Sequence, residues 1–514
     1  MTASPEGNAL VSFRGKSLDA ETEALFADPR VAGAVFYGPL NIEGAEQTRE
    51  LVDGLTKAAG HPLLISVDQE GGQLLGAGPD ATPFAGNMAL GAIGDETLTF
   101  RVAAAIGREL RALGFNVDLA PVVDIATRPY NPSMGIRSFG EDPGMVSTLT
   151  AAFVTGLQSE GVAATLKHFP GKGEAAVDPH DELPVLDLDL DRLDRVELGP
   201  FRAGIEAGAK LLMVGHYGLP AVTGERGLPT SVSHEVMEGL IRGRLGFKGV
   251  IVTDALDMGG FGGREPDAPL GAGADLLLYG PAQAGVLPAT PAGGSRRLGK
   301  LLDWLGGFSR PELSVVGCSD HQQLAAEMAE RSITLVRDER GLLPIRPRSD
   351  SRVLSIMPRP KNLTPADTSE GVEPGLADAI RVRHRATTEV IVDFEPSSAD
   401  IAGAVSQARD HDFVVVGTLD AGPGQAELVA ALVDTGTPTV AVAMRTPYDL
   451  ASYPSAPTYV CSYGILPASV DALAESLFGA PMPGRLPVAV PGLYPVGHGL
   501  GDDGWGGSSQ GRVT

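Results

Sequence analysis

The sequence predicts an α/β protein in which an N-terminal TIM-like (β/α)8 barrel is followed by a C-terminal α/β sandwich. Three features lead to this prediction: short apolar runs alternate with helical stretches, the runs are almost uninterrupted by polar residues, and a Pro-, Ala- and Gly-rich segment separates two such series. Strands buried on both faces of a parallel sheet have such continuous runs. A chain of 514 residues has room for about two or three domains.

The first series predicts the barrel. Amphipathic stretches such as 96–113 and 191–207 separate its apolar runs and predict helices. Alternating β and α units in this number are typical of a TIM-like barrel. We therefore assign residues 1–305 to a barrel domain. The predicted strands are residues 31–37, 62–67, 115–123, 162–166, 210–214, 249–253 and 275–279.

The second series begins after a connector, which we place at residues 306–330. Helical stretches such as 399–408 and 424–433 again separate the apolar runs, so residues 331–500 are assigned to an α/β sandwich domain. The polar loop 360–374 is expected to be mobile and the Gly- and Ser-rich tail 501–514 to be disordered. The predicted strands are residues 333–336, 353–357, 389–392, 413–416, 439–444 and 459–462.

Composition narrows the possible partners. The formal net charge of −24 disfavours nucleic-acid and anionic membrane partners, because phosphate groups would be repelled. The first residues lack a signal-peptide pattern, and no apolar run approaches the roughly 20 residues of a membrane span. We therefore expect a cytoplasmic protein. The two cysteines and nine histidines show no metal-ligand spacing, so neither a metal nor a cofactor is expected.

Polar residues follow the predicted barrel strands at their carboxyl ends. In a TIM-like barrel these ends converge on one active site, so residues that are far apart in sequence are expected to meet there. These residues include Asp68, Asp124, Arg137, Lys167, His168, His216 and Asp254, and the apolar Met213 lies at the same strand end as His216.

Asp254 is the candidate nucleophile because it ends an otherwise apolar strand. A carboxylate in such a place is costly unless it has a partner or a task. Its sequence context alone leaves a helix N-cap equally open. Asp257 is the competing candidate three residues later, where a turn makes a structural role easier.

Asp178 and His180 lie in a loop of small and charged residues. A carboxylate two residues from an imidazole can accept a hydrogen bond from it, which fixes the ring tautomer and stabilises the imidazolium. A loop also permits movement toward a scissile oxygen when substrate binds. The alternative is a pair of solvated loop residues.

Six motifs occur in order over about residues 30–280. KHFPGKG stands at 167–173 and Asp-Pro-His at 178–180, while DQEGG, NVDLAPVVD, RSFGEDP and GVIVTDALDM begin at residues 68, 116, 137 and 249. Together they resemble the motifs of bacterial β-N-acetylglucosaminidases of glycoside hydrolase family 3, including its KHFPGHG signature and Asp-Ser-His loop. The second domain also resembles that family's α/β sandwich.

The resemblance implies a retaining, exo-acting enzyme that removes terminal β-linked N-acetylhexosamine from glycans or cell-wall muropeptides by double displacement. Asp254 would attack the anomeric carbon. His180, oriented by Asp178, would protonate the leaving oxygen and later deprotonate water, and an imidazole with its ordinary pKa of about 6.5 suits both transfers. The implied sugar-binding residues are Asp68, Arg137, Lys167, His168 and Lys172, with Met213 and His216 lining the pocket.

Three positions depart from the family pattern: Gln73 replaces an arginine, Lys172 a histidine and Pro179 a serine. The catalytic groups are intact, so the reaction class is better constrained than the sugar. Three alternatives stay open. They are a phosphorylase with phosphate as acceptor, which an imidazole and Lys172 would favour electrostatically, a β-glycosidase for another sugar, and a non-catalytic sugar-binding protein.

Overall fold

The computed structural model describes residues 7–286 and 295–501. The predicted tail, apart from Gly501, and part of the Pro-rich connector lie outside the described residues. None of the helices in the two described ranges is both long enough and apolar enough to cross a bilayer.

Eight parallel strands close into a barrel, which confirms the predicted fold class. The strands are β1 (Ala9–Ser12), β2 (Val31–Phe36), β3 (Leu64–Val67), β6 (Val117–Asp118), β7 (Ala163–Phe169), β8 (Leu211–Val214), β9 (Val250–Ala255) and β10 (Leu276–Tyr279), with β4 (Gln69–Gly71) and β5 (Leu74–Leu75) forming a small hairpin after β3. Their order around the barrel is β1-β10-β9-β8-β7-β6-β3-β2. Seven of these strands coincide with predicted runs. The eighth, β1, was not predicted; its four buried residues pair with β10 and β2 and close the barrel.

Helices surround the barrel. The predicted helix 96–113 is α5, which begins after Asp95, whose carboxylate accepts hydrogen bonds from the amides of Thr97 and Leu98. The predicted helix 191–207 is instead two helices, α7 and α8. The helices of this domain are α1 (Ala20–Phe26), α2 (Gly38–Asn41), α3 (Ala45–Ala59), α4 (Asn87–Ile93), α5 (Glu96–Leu113), α6 (Pro143–Ser159), α7 (Leu190–Arg195), α8 (Leu198–Glu206), α9 (Pro220–Thr223), α10 (Ala268–Ala272) and α11 (Arg296–Leu305), with a π-helical segment at Glu235–Arg244.

The second domain is built on a six-stranded sheet. Its strands are β11 (Thr334–Asp338), β12 (Val353–Pro358), β13 (Thr387–Val392), β14 (Phe413–Thr418), β15 (Thr439–Ala443) and β16 (Thr458–Cys461), in the order β11-β16-β15-β14-β12-β13. All neighbours are parallel except β11, which is antiparallel to β16. The helices are α12 (Ser319–Ser332), α13 (Leu376–Arg383), α14 (Ser398–Ala408), α15 (Pro423–Asp434) and α16 (Pro467–Leu477).

The segment 306–330, expected to be a connector, contains most of α12. This helix packs against α4 of the barrel and α16 of the second domain. The buried carboxylate of Glu109 accepts hydrogen bonds from the amide of Gly317 at 3.1 Å and from Nδ1 of His321 at 2.6 Å. Hydrogen bonds therefore attach the connector to the barrel, and its helix α12 lies between the barrel and the second domain.

Candidate active site

A cavity of about 520 Å³ lies at the carboxyl ends of the barrel strands. Both domains contribute to its wall, and the predicted site residues other than Asp178 and His216 reach it. The wall includes Asp68, Arg137, Lys167, His168, Lys172, His180, Met213, Asp254 and Asp257 from the barrel, and Asn362, Pro365, Ala366, Asp367 and Thr368 from the second domain.

Asp254 lies near the end of β9, with Oδ1 accepting the amide of Ala255 at 2.9 Å. Burial alone would raise the pKa of this carboxyl. The imidazoles of His168, His216 and His180 in their protonated forms, together with the amide of Ala255, outweigh burial in acid and hold the pKa below its ordinary value, so the carboxyl is already an anion at neutral pH. The competing Asp257 has a structural partner, since its Oδ2 accepts the amide of Ala282 at 2.7 Å. This contrast favours Asp254 as the nucleophile.

Asp178 and His180 form the hydrogen-bonded pair that the sequence predicts. Oδ1 of Asp178 accepts both Nδ1 of His180, at 2.6 Å, and its amide, at 3.0 Å. Burial opposes ionisation of Asp178, but the bonds from His180 hold its pKa below the ordinary value. The Nδ1 proton is thus engaged, which leaves Nε2 of His180 as the ring nitrogen available for proton transfer.

Two acids and two bases form a cluster on the side of the cavity wall that Asp68, Arg137 and Lys167 share with Asp254. Nζ of Lys167 lies 2.5 Å from Oδ1 of Asp68 and 2.6 Å from Oε1 of Glu70. The guanidinium of Arg137 makes two bonds of 2.8 Å to the same Glu70 carboxylate. Burial disfavours the charged forms, yet the partners raise the pKa of Lys167 and hold that of Glu70 well below its usual range. The ion pairs therefore hold Asp68, Lys167 and Arg137, the three members that reach the cavity wall, in fixed positions.

Glu70 was not predicted as a site residue, although it lies within the DQEGG motif. It does not reach the cavity wall. Its role becomes visible only when β4 brings it between the side chains of Lys167 and Arg137.

His168 is held by the carboxylate of Asp124, which was likewise not predicted to take part in catalysis or sugar binding. Oδ2 of Asp124 lies 2.7 Å from Nδ1 of His168, and its Oδ1 accepts the amides of His168 at 3.1 Å and Lys172 at 2.9 Å. Burial, together with the charges of Lys172 and Arg137, lowers the pKa of His168 well below its ordinary value. The ring is neutral at pH 7 and donates through Nδ1 to Asp124.

Lys172 and Gln73, two departures from the family pattern, both support the segment that carries Arg137. Nζ of Lys172 donates to the carbonyl of Ser133 at 3.2 Å, and Oε1 of Gln73 accepts the amide of Ile136 at 3.0 Å. Burial and then Arg137 lower the pKa of Lys172 to about 8. Lys172 is therefore mostly protonated at neutral pH, but it loses its proton at a lower pH than an exposed lysine does.

His216 corrects one expectation, because it lies behind the cavity wall. Its Nε2 donates to the carbonyl of Ala255 at 3.1 Å, and its Nδ1 lies 2.6 Å from Oγ of Ser231. Both ring nitrogens make hydrogen bonds, and the bond to the carbonyl of Ala255 stabilises the turn after Asp254. Met213, by contrast, lies on the wall.

The loop 360–374 of the second domain, expected to be mobile, is bonded to both domains. Thr368 donates its amide to the carbonyl of Gln73 at 2.7 Å, and its Oγ1 accepts the amide of Leu75 at 3.2 Å. The buried pair Asp367 and Arg445 fixes the loop to its own domain at 2.8 Å. No sequence motif marked this loop as part of the site.

No group of three or more His, Cys, Asp or Glu side chains within the described ranges is arranged to hold a metal ion. The site consists of an ionised carboxylate, a tethered imidazole and a set of fixed polar groups.

Comparison with known proteins identifies the family. The profile for the glycosyl hydrolase family 3 N terminal domain matches residues 5–289. A β-N-acetylglucosaminidase/β-glucosidase of Cellulomonas fimi is 32% identical and aligns over 90% of this chain and 91% of that protein. A β-hexosaminidase A of Pseudoalteromonas piscicida is 34% identical, but the match covers only 64% of this chain and 63% of that protein.

A solved structure agrees with these matches. The family 3 β-N-acetylglucosaminidase of Paenibacillus sp. str. FPU-7 superposes with a TM-score of 0.85 at 30% identity, over 95% of this chain and 99% of that one. The N-terminal domain profile matches more than half of the chain, and the Cellulomonas protein aligns with nine-tenths of it. These two matches show that the chain belongs to glycosyl hydrolase family 3.

Proposed function

We propose that the protein is a retaining, exo-acting β-N-acetylglucosaminidase in which Asp254 is the nucleophile and His180 the acid/base. The observation that carries the proposal is the shared cavity wall, on which an ionised carboxylate and a carboxylate-tethered imidazole both lie. The names of the Cellulomonas, Pseudoalteromonas and Paenibacillus relatives support the sugar assignment.

In the first step the Asp254 carboxylate attacks the anomeric carbon while the bond to the leaving oxygen breaks. His180 gives its Nε2 proton to that oxygen, and a glycosyl ester of Asp254 forms. In the second step the now neutral ring takes a proton from water, whose oxygen attacks the anomeric carbon and releases Asp254. Two inversions return the sugar in its original β configuration.

The surrounding groups fit a terminal sugar. Asp68 and Lys167 present an acceptor and a donor at fixed positions, and Arg137 and neutral His168 add further polar atoms. The second-domain loop forms one side of the cavity wall, so the site is a pocket and not an open groove. A pocket of this kind favours removal of one residue from a chain end.

The test compares variants on aryl N-acetyl-β-glucosaminides. Asp254→Asn is expected to lower kcat/KM by at least about a thousandfold, as when a nucleophile is removed in other hydrolases, whereas Asp257→Asn serves as the matched control and should stay within about tenfold. NMR of the first product formed should show the β anomer. Unchanged hydrolysis by Asp254→Asn, or an α product, would refute the proposed mechanism.

His180→Ala has a distinct expected signature. Substrates with a poor leaving group should lose about a hundredfold or more, because they need protonation. A dinitrophenyl glycoside, which leaves without it, should retain most of its kcat/KM. A uniform loss on both substrates would remove His180 as the acid.

A second candidate function is phosphorolysis, and the observation favouring it is the buried cation Lys172 on the cavity wall. An imidazole acid/base would not repel an incoming phosphate, and Lys172 would attract it. Formation of sugar 1-phosphate, with a rate that depends on phosphate, would support it. A rate independent of phosphate would exclude phosphorolysis and leave hydrolysis as the reaction.

A cytoplasmic location and muropeptide substrates remain predictions.

A further inference from the structure

The loop that carries the Asp178–His180 pair has very few bonds to its surroundings. Among the described residues, the hydrogen bonds and ion pairs that join residues 176–183 to the rest of the protein number two. The amide of Gly259 donates to the carbonyl of His180 at 2.8 Å, and the amide of Gly260 donates to the carbonyl of Pro179 at 2.9 Å. Pro179 is also buried, so packing adds to this attachment.

Both donors belong to the turn that follows the nucleophile. Gly259 begins a short 3₁₀ segment, Gly259–Phe261, only five residues after Asp254. This turn is itself fixed, because His216 donates to the carbonyl of Ala255 and Asp257 accepts the amide of Ala282. The loop that carries His180 is thus hydrogen-bonded to the turn that follows Asp254.

The approach is too close for a side chain. A Cβ atom on Gly259 would lie 2.0 Å from the carbonyl oxygen of Asp181, whereas one on Gly260 would lie 3.0 Å from that of Pro179 and 3.1 Å from that of His216. Neither glycine has a left-handed φ, so alanine suits their backbone conformation. At Gly259 the main cost of a methyl group is displacement of the loop, whereas at Gly260 the loop and His216 share a milder displacement.

We propose that Gly259 and Gly260 are positioning residues that hold His180 in reach of the leaving oxygen through the docked loop. The inference rests on the proposed function, in which His180 is the acid/base. It separates two parts of the chemistry. Displacing the loop weakens protonation of the leaving group, while Asp254 and the sugar-binding cluster keep their places on the barrel strands.

The test uses Gly259→Ala and Gly260→Ala in the full chain, with Gly271→Ala as the matched control. A Cβ on Gly271 meets nothing within 4 Å. The value of kcat/KM, which reports steps up to formation of the glycosyl-enzyme, is measured for a phenyl and a dinitrophenyl N-acetyl-β-glucosaminide. Thermal melting checks the fold of each variant.

Gly259→Ala is expected to lose about a hundredfold on the phenyl substrate, the range of general acid catalysis, and less than about fivefold on the dinitrophenyl substrate. Gly260→Ala, with the milder contact, should lose about tenfold in kcat/KM on the phenyl substrate and little on the dinitrophenyl substrate. This variant tests the inference if Gly259→Ala does not fold. Gly271→Ala should match the parent protein.

Equal losses on the two substrates, or no loss, in the folded glycine variants would overturn the inference. His180→Ala separates this failure from failure of the proposed function. If His180→Ala shows the leaving-group dependence and the glycine variants do not, only the docking role is wrong. If His180→Ala lacks it as well, the acid/base assignment is wrong.

Discussion

Replacing Glu70 by glutamine should test whether the buried charge cluster holds the sugar site together. The glutamate carboxylate accepts two bonds of 2.8 Å from Arg137 and lies 2.6 Å from Nζ of Lys167, and the three side chains are at most 2% exposed. Glutamine keeps the shape but removes the charge and turns an amide N–H₂ toward a cation. Removing one partner of a buried ion pair typically costs about 3–5 kcal/mol.

The pH dependence follows from the direction of the pKa shift. Burial favours the neutral acid, but Arg137 and Lys167 hold the pKa of Glu70 well below its ordinary value in the folded state. A carboxyl with a depressed folded pKa stabilises the fold fully above its unfolded pKa of about 4.3, and this contribution is lost as the pH falls below that value. The difference between the parent protein and Glu70→Gln should be constant near neutral pH and shrink in acid.

Calorimetric melting from pH 7.5 down to the acid limit of the folded state measures this difference. The expected fall in Tm at pH 7.5 is roughly 5 °C for a chain of this size. Glu43→Gln is the matched control, because Glu43 is exposed and lies 3.4 Å from Lys16; exposed pairs of this kind contribute less than about 1 kcal/mol. A Tm equal to that of the control, or a difference that widens in acid, would refute the reasoning.

Two further predictions concern the other supports of the site. Lys172→Met is expected to stabilise the fold by about 1–3 kcal/mol at pH 7, because burial lowers the pKa of Lys172 to about 8 and unfolding relieves that cost. The gain should vanish as the pH rises from 8 toward 10, and melting curves across that range with no such trend would contradict it. Thr368→Val removes the hydroxyl that bridges Gln73 and Leu75, and should lower kcat/KM about fivefold because the loop on the cavity wall loses part of its attachment to the barrel. An unchanged kcat/KM would show that this hydroxyl does not position the loop.

One group of the predicted site residues lies at the ends of barrel strands. Asp68, Lys167, His168 and Asp254 could be found because an apolar run stops at each of them and the architecture brings those ends together. His216 also follows a strand, but the chain turns its ring behind the wall, where Ala255 and Ser231 bind it. Position after a strand predicts proximity to the site and does not predict orientation.

The features that sequence did not predict depend on packing between distant segments. Glu70 and Asp124 act through the bases they bind, so their roles need the positions of β4 and β7. The short strand β1 was missed although its residues are apolar, because a run of four is too brief to stand out. Loop 360–374 carries no motif, and its place at the site follows from the docking of α12 and the bond between Thr368 and Gln73.

The composite wall of the cavity has a consequence for how specificity can change in this protein. The proposed nucleophile, the proposed acid/base and the charge cluster are all encoded before residue 260, whereas Asn362 and Thr368 reach the cavity from a loop of the second domain. Mutations in this loop can therefore alter the shape of the cavity without changing the groups proposed to break the glycosidic bond. Exchange of residues 362–368 between relatives offers a route to new substrate preferences on an unchanged barrel.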